Sequence, residues 1–100
     1  MTSVRFKPHG FSVKGHCTAD EDDVLGKLVC SAVSSAVYMT VNTITDVVCD
    51  KADIKEKDGE LSINVLNPSK ETITILEGLK IHIQQLEEQY KICIKVYLEV

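Results

Sequence analysis

Apolar residues recur with two different periods along this 100-residue chain, and the change of period limits the folds open to it. Five short stretches place them at every second position, which is typical of strands with one buried face: 4–6, 11–15, 47–54, 60–66 and 92–100. Two longer stretches, 26–44 and 67–90, place them at every third or fourth position, which is typical of amphipathic helices. The order β-β-α-β-β-α-β predicts an α+β fold, with a mostly antiparallel sheet and two helices packed on one face.

Turn-forming residues separate these stretches. Proline and glycine in the segment 8–10 end the first strand and predict a hairpin with the second. Asp58 and Gly59 predict another hairpin, because a tight two-residue turn needs positive φ angles. Asn67 and Pro68 predict the start of the second helix, with Asn67 as the cap and Pro68 as the first helical residue.

Composition narrows the class of protein. Apolar residues make up 44% of the chain, with twelve Val and nine Ile, which favours a folded, sheet-containing domain covering 1–100. The 11 basic and 15 acidic residues leave a net charge of −4, so we expect no direct nucleic-acid partner. We find no long uninterrupted apolar run, no secretory signal and no cofactor motif, and we therefore expect a cytoplasmic protein without a membrane span or a cofactor.

The four cysteines form no recognisable metal or disulfide motif. Cys17, Cys30, Cys49 and Cys93 include no Cys-x-x-Cys pair, and we expect thiols in a reducing compartment. Cys49 and Cys93 fall in predicted strands and are interpreted as core or sheet-face residues. Cys17 has two alternative roles: it could be a resolving thiol or, together with His9, a metal ligand. Two ligands do not make a zinc motif.

Cys30 and His16 are the residues that could carry chemistry together. A thiolate is a strong nucleophile, and a helix that starts near 26 places Cys30 in its first turn, where unpaired backbone N–H groups favour negative charge. His16 ends the second predicted strand and could accept the thiol proton. From the residues alone, the simpler interpretation is that Cys30 is a small core residue and that His82 is a surface residue of the second helix.

Gly15-His16, followed after a loop by Leu-Val-Cys-Ser-Ala-Val-Ser at 28–34, resembles the signature of the ribosomal-processing cysteine protease (Prp) family. The usual family pattern is Gly-His, a glycine-rich loop and then Asp-Ile-Val-Cys-Ala-Ala-Val-Ser. The hairpin at 58–59, the long second helix and the C-terminal strand are also similar, so the resemblance covers the whole chain. It implies a small homodimer that removes the N-terminal extension from a large-subunit ribosomal protein precursor.

The resemblance also implies roles for individual residues. Cys30 is expected to be the nucleophile and His16 its general base and acid. Ser34 matches the family serine, lies one turn after Cys30, and could donate a hydrogen bond to the thiolate. Lys27 stands where the family has an Asp, a residue expected to orient the dyad or to cap the helix. The positive charge of Lys27, one turn before Cys30, is expected to favour a thiolate.

The loop before the first helix is acidic where the family is glycine-rich, with the run Asp20, Glu21, Asp22 and Asp23. The run lies between the two expected catalytic residues, and we therefore expect it to border the substrate groove. We expect it to attract a basic substrate segment, because ribosomal proteins bind RNA and so carry basic residues. Backbone N–H groups at the helix start, including that of Cys30, are expected to stabilise the oxyanion.

We therefore predict a cysteine endopeptidase with a Cys30–His16 dyad that acts on a ribosomal protein precursor and holds no metal. Two alternatives stay open. One is a catalytically silent dimer that binds a peptide or a ribosomal protein in the same groove, and the other is a structural dimer. We expect the first helix to contribute to a homodimer through a wide apolar arc: Val29, Ala32, Val33, Ala36, Val37 and Val41.

Overall fold

The structure is a computed structural model that describes residues 1–15 and 23–99. Strands β1 (Thr2–Lys7) and β2 (Gly10–Gly15) precede helix α1 (Val24–Asn42), which continues into a π-helical segment (Thr43–Val48). Strands β3 (Ala52–Lys57) and β4 (Glu60–Val65), helix α2 (Lys70–Gln89) and strand β5 (Ile94–Leu98) follow. The predicted α+β fold and the predicted order of elements are confirmed.

The five strands of the described part of the chain form a mixed sheet in the order β3-β4-β2-β1-β5. Antiparallel pairing joins β1 to β2, β2 to β4 and β4 to β3, whereas β5 runs parallel to β1. The prediction of a mostly antiparallel sheet is confirmed. The turn between β3 and β4 has φ angles of 47° at Asp58 and 78° at Gly59, as the Asp-Gly pair predicts.

Both helices pack on one face of the sheet, and the core lies between the helices and that face. In β1, β2 and β4 every second residue is buried, and the register sets these residues side by side, with Val4 opposite Val13 and Phe11 opposite Ile63. Burying each such side chain stabilises the fold by about 1.5–3 kcal/mol. The helices contribute the other half of the core: Val29, Val33, Val37 and Val41 from α1, and Leu76, Leu79 and Ile83 from α2.

The stretch 47–54 is only partly a strand, which corrects the prediction. The helix continues as the π-helical segment Thr43–Val48 and ends at Cys49, which has a left-handed φ of 64°. The strand begins only at Ala52. β-branched residues in this stretch favour a strand locally, but Ile44 is fully buried in the core. The carbonyl of this anchored residue accepts hydrogen bonds from the N–H groups of Cys49 and Asp50, and these bonds close a further helical turn in place of the strand.

The start of α2 also differs from the prediction. Its cap is Ser69, not Asn67, because the Ser69 hydroxyl accepts a hydrogen bond from the Thr72 N–H at 3.2 Å. Pro68 therefore lies before the helix. The Asp50 carboxylate accepts hydrogen bonds from the N–H of Ser69 at 2.9 Å and from its hydroxyl at 2.8 Å. The cap thus ties the start of α2 to the segment that precedes β3.

The last strand is shorter than its alternating pattern suggests. It covers Ile94–Leu98, and Ile92 lies in the turn before it with 81% of its surface exposed. Ile94 is buried, whereas Leu98 is exposed at the far end. The predicted single buried face over 92–100 is therefore wrong at Ile92, which precedes the strand, and at Leu98, whereas Val100 lies outside the described residues.

Residues Val24–Val48 form a helical stretch of 25 residues that contains an 18-residue window with a mean hydropathy of 1.6. By length and composition alone this stretch is able to cross a membrane. The lack of an uninterrupted apolar run therefore does not exclude a membrane-spanning helix, contrary to our expectation. One such helix is weak evidence, because the core helix of a globular protein passes the same test. Here Val33, Val37 and Ile44 are buried against the sheet, and we interpret the stretch as a core helix.

Candidate active site

Helix α1 presents Cys30 and Ser34 on the same side, because residues four apart lie one turn apart on a helix. Both are half-buried, and both line a groove of about 320 Å³. The opposite wall of the groove comes from the end of β2 and from the β3–β4 hairpin. The fold therefore brings a thiol and a hydroxyl together in one concave site.

The end of β2 lies against the sulfur of Cys30. A Cβ atom added to Gly15 would lie 3.4 Å from the Cys30 Sγ. The Gly15 N–H donates a hydrogen bond to the Gly59 carbonyl at 3.1 Å, which holds the β3–β4 turn beside the groove. Gly15 directly precedes His16 in the sequence. The chain therefore leaves β2 beside the thiol.

Several predicted site residues lie outside the described residues: His16, Cys17, Asp20, Glu21 and Asp22. The role of His16 as general base and acid stays a prediction. So does the expected contact of the three acidic residues with a basic substrate, and so does the alternative role of Cys17.

Asp23, the last residue of the acidic run, caps helix α1. Its Oδ1 accepts a hydrogen bond from the Gly26 N–H at 2.9 Å. A Cβ atom on Gly26 would overlap the Asp23 carboxylate, so a larger residue at this position would make that carboxylate shift. Asp23 thus supplies the cap of the helix, four residues before Lys27. Its contact with substrate stays a prediction.

The early start of α1 corrects the expected position of Cys30. Because the helix begins at Val24, Cys30 is its seventh residue and lies in the second turn. The unpaired N–H groups of a helix belong to its first turn. The Cys30 N–H is therefore not a spare donor for an oxyanion, contrary to our expectation. Lys27 lies in the first turn and is exposed.

A tyrosine and a glutamate, which the sequence analysis missed, line the same groove. Tyr38 lies two turns beyond Cys30 on α1, and its hydroxyl donates a hydrogen bond to the Glu56 Oε1 of β3 at 2.6 Å. This hydrogen bond, together with the negative charge of Glu56, raises the pKa of Tyr38. The helical spacing 30, 34 and 38 indicates that Tyr38 shares a helix face with Cys30. No local pattern indicates that Glu56 lies in the groove, because the pairing of β3 with β4 places it there.

The other cysteines and histidines among the described residues lie away from this groove. Cys49 is exposed at the end of the π-helical segment and is not a core or sheet residue, which corrects the prediction. Cys93 is half-buried and packs against the core, and His82 is exposed on α2, both as predicted. Within residues 1–15 and 23–99, no group of three His, Cys, Asp or Glu is placed to hold a metal ion.

A larger groove of about 410 Å³ lies between the sheet and α2, where β1 and β5 end. Its described lining includes Phe6 and Leu98 but neither a cysteine nor a histidine. Nucleophilic chemistry therefore points to the smaller groove at Cys30.

The fold is similar to that of the essential ribosomal processing protease Prp from S. aureus, solved in complex with a substrate peptide. The TM-score is 0.86 at 22% sequence identity, over 99% of this chain and 100% of that one. An S. aureus Prp structure with a covalently linked product peptide gives a TM-score of 0.79 at 21% identity, over 98% and 97% of the two chains. SMU.848 from Streptococcus mutans gives 0.78 at 18% identity, over 98% and 93%.

A comparison with curated proteins finds no match. The sequence pattern of one protein family, described as Cysteine protease Prp, matches residues 1–95. That match spans nearly the whole chain and includes both Gly15 and Cys30. The chain therefore belongs to the cysteine protease Prp family.

Proposed function

We propose that this protein is a cysteine endopeptidase that removes the N-terminal extension of a large-subunit ribosomal protein precursor. One observation carries the proposal: Cys30 lies in a groove with Ser34 one turn beyond it and Gly15 against its sulfur. Gly15 and His16 form the Gly-His pair of the family signature. Membership of the Prp family and the fold shared with a protease that binds a substrate peptide support the proposal.

In the proposed mechanism, the thiol proton of Cys30 moves to His16 and the sulfur attacks the scissile carbonyl carbon. The carbon–nitrogen bond breaks, and His16 returns the proton to the leaving amine. Water then hydrolyses the thioester, which releases the carboxylate product and restores the thiol. Ser34 donates a hydrogen bond to the thiolate, and the charge of Lys27 favours the ionised sulfur.

Replacing the nucleophile tests this proposal. Cys30→Ala and Cys30→Ser are expected to lower kcat by at least ~10³-fold on a peptide that spans the precursor extension, because each substitution removes the sulfur that forms the thioester. His16→Ala is expected to be similarly impaired. Cys49→Ala is the matched control, because Cys49 is exposed outside the groove. Circular dichroism checks that each variant folds.

Two outcomes would overturn the assignment. Turnover retained in Cys30→Ala would show that the thiol is not the nucleophile. A wild-type protein that binds the peptide without cleaving it would indicate the alternative function, a catalytically silent peptide-binding dimer.

A further inference from the structure

The groove that holds Cys30 extends across the sheet toward its β3 edge. Cys30, Ser34 and Tyr38 lie on one side of α1, two helical turns from first to last, which is about 12 Å of rise. The sheet order β2-β4-β3 sets Gly15 and Glu56 on opposite sides of β4, about 10 Å apart across the strands. An extended peptide covers that distance with three or four residues.

Glu56 is placed on the helix side of the sheet by its strand register. It pairs with Leu61, whose side chain is buried beneath the helices. Its Oε1 accepts the hydrogen bond from Tyr38, which holds the carboxylate in the groove with Oε2 open to a second donor. Glu60 also borders the groove, but it pairs in register with Lys14 and Lys57, and alternation along β4 puts its side chain on the opposite face.

The groove end at Tyr38 and Glu56 therefore carries an uncompensated negative charge. Among residues 1–15 and 23–99, no lysine or arginine forms an ion pair with Glu56. Tyr38 leaves 47% of its surface exposed beside that carboxylate. A carboxylate next to an accessible aromatic ring is a suitable site for a cation, because the ring face and the carboxylate both attract positive charge.

We propose that Tyr38 and Glu56 form a subsite for a lysine or arginine side chain of the substrate, three or four residues from the scissile bond. The cationic end group donates a hydrogen bond to the Glu56 Oε2, and the aliphatic part lies against the Tyr38 ring. The subsite deepens the proposed function and rests on it, since it assumes that Cys30 marks the scissile bond. An acidic residue at the same substrate position is disfavoured by repulsion.

Paired peptides test the subsite. Each peptide spans the precursor extension and differs by Lys against Gln at one of the four positions on either side of the scissile bond. At one position, three or four residues away, the lysine peptide is expected to have a KM about five-fold lower, with kcat little changed. The preference is expected to shrink when NaCl rises from 0.05 to 0.5 M, roughly the range over which screening becomes strong.

Variants separate a cation subsite from a purely structural hydrogen bond. Glu56→Gln is expected to abolish the lysine preference, and Glu56→Lys to reverse it in favour of a glutamate peptide. Tyr38→Phe keeps the ring but releases the carboxylate, and it is expected to weaken the preference. Asp53→Asn is the matched control, because Asp53 is an exposed acid of the same strand that does not line the groove. A structural role alone would lower thermal stability without changing the ranking of the peptides.

Binding of the same peptides to Cys30→Ala, followed by fluorescence anisotropy, keeps the two proposals separate. If cleavage depends on Cys30 but no peptide position shows a Glu56-dependent preference, the subsite is wrong and the protease assignment stands. If no peptide is cleaved but the Cys30→Ala protein binds lysine peptides in a Glu56-dependent way, Tyr38 and Glu56 bind a cationic side chain in a non-catalytic groove, and the protease assignment is wrong together with the position of the subsite relative to a scissile bond. Equal binding of all peptides overturns the subsite.

Discussion

Gly15 has no side chain at the point where β2 passes Cys30, and this keeps the sulfur accessible from the sheet side. The 3.4 Å between an added Cβ atom and the Cys30 Sγ is an ordinary contact distance. A larger residue would therefore fit only by covering the thiol. At the residue scale, the site depends on a missing side chain as well as on the thiol itself.

Asp50 is the residue whose ionisation is most closely connected with the fold. The hydroxyl of Thr72 lies near the carboxylate and favours its ionised form, although it lacks the geometry of a full hydrogen bond. The N–H and the hydroxyl of Ser69 donate hydrogen bonds to the carboxylate and favour the same form. Together they lower the pKa of Asp50 below its ordinary value of 3.8. The charged form is therefore more favourable in the folded protein than in the unfolded chain.

This shift predicts how stability depends on pH. Because the folded pKa is the lower one, the contribution of Asp50 is fully present above the ordinary carboxyl pKa and is lost as pH falls through the folded pKa. The difference in unfolding free energy between wild type and Asp50→Asn, measured with urea, is expected to be constant from pH 7 to 5 and to shrink below about pH 4. Asp53→Asn, an exposed acid on β3, is the control. A difference that stays constant down to pH 3 would contradict this account.

At the element scale, the start of α1 depends on Asp23 and Gly26. Asp23 occupies the cap position, and glycine at Gly26 allows its carboxylate to approach the backbone N–H. The cap fixes the first helical residue at Val24, and this in turn sets Cys30 in the second turn. The position of the thiol is thus determined by a residue seven places before it.

Removing this cap is expected to loosen the helix start. Asp23→Ala is expected to lower the unfolding free energy by about 1 kcal/mol, because one N–H of the first turn loses its acceptor. Asp23→Asn should retain most of the stability, since asparagine caps helices about as well as aspartate. Thermal or urea unfolding of the two variants measures the difference. Equal destabilisation by both substitutions would show that charge, not capping, is what matters at this position.

At the scale of the whole molecule, α1 leaves an apolar stripe uncovered. The valines expected at the dimer contact, including Val29 and Val33, are instead buried in the core, which corrects that part of the expectation. Four of the exposed apolar residues of the helix follow a spacing of three, four and seven: Leu25, Leu28, Ala32 and Met39. Leu28 and Met39 expose 62% and 70% of their surface. Such spacing is typical of helices that pack against a partner helix.

We therefore predict a homodimer formed through the exposed stripe of α1. Leu28→Glu is expected to yield a monomer at micromolar concentration in sedimentation, with little loss of stability because Leu28 lies outside the core. Ile92→Glu is the matched control, since Ile92 is equally apolar, 81% exposed and on another part of the chain. A wild-type monomer at that concentration, or dissociation by Ile92→Glu as well, would contradict the prediction.

The elements with strong local signals were predictable from the sequence by itself. The Asp58-Gly59 turn, the helical period of α2 and the pairing of β1 with β2 each depend on residues a few positions apart. The choice of Cys30 as candidate nucleophile also came from local patterns, the Gly-His pair and the segment at 28–34, and it stays a prediction. Errors at the ends of α1 and α2 came from caps, where neighbouring Asp, Ser and Asn residues compete for one role.

Only the tertiary structure decided the remaining features. The parallel pairing of β5 with β1, the helical backbone over 43–48 and the contact between Tyr38 and Glu56 all join residues that are far apart in sequence or depend on burial in the core. Such contacts leave no periodic pattern in the sequence. The residues around one partner do not identify the other partner, because many segments of suitable polarity could form the same contact. Strand register placed Glu56 in the groove, and hydrogen bonds from Cys49 and Asp50 to the carbonyl of the buried Ile44 extended the helix into the start of a strand-like stretch.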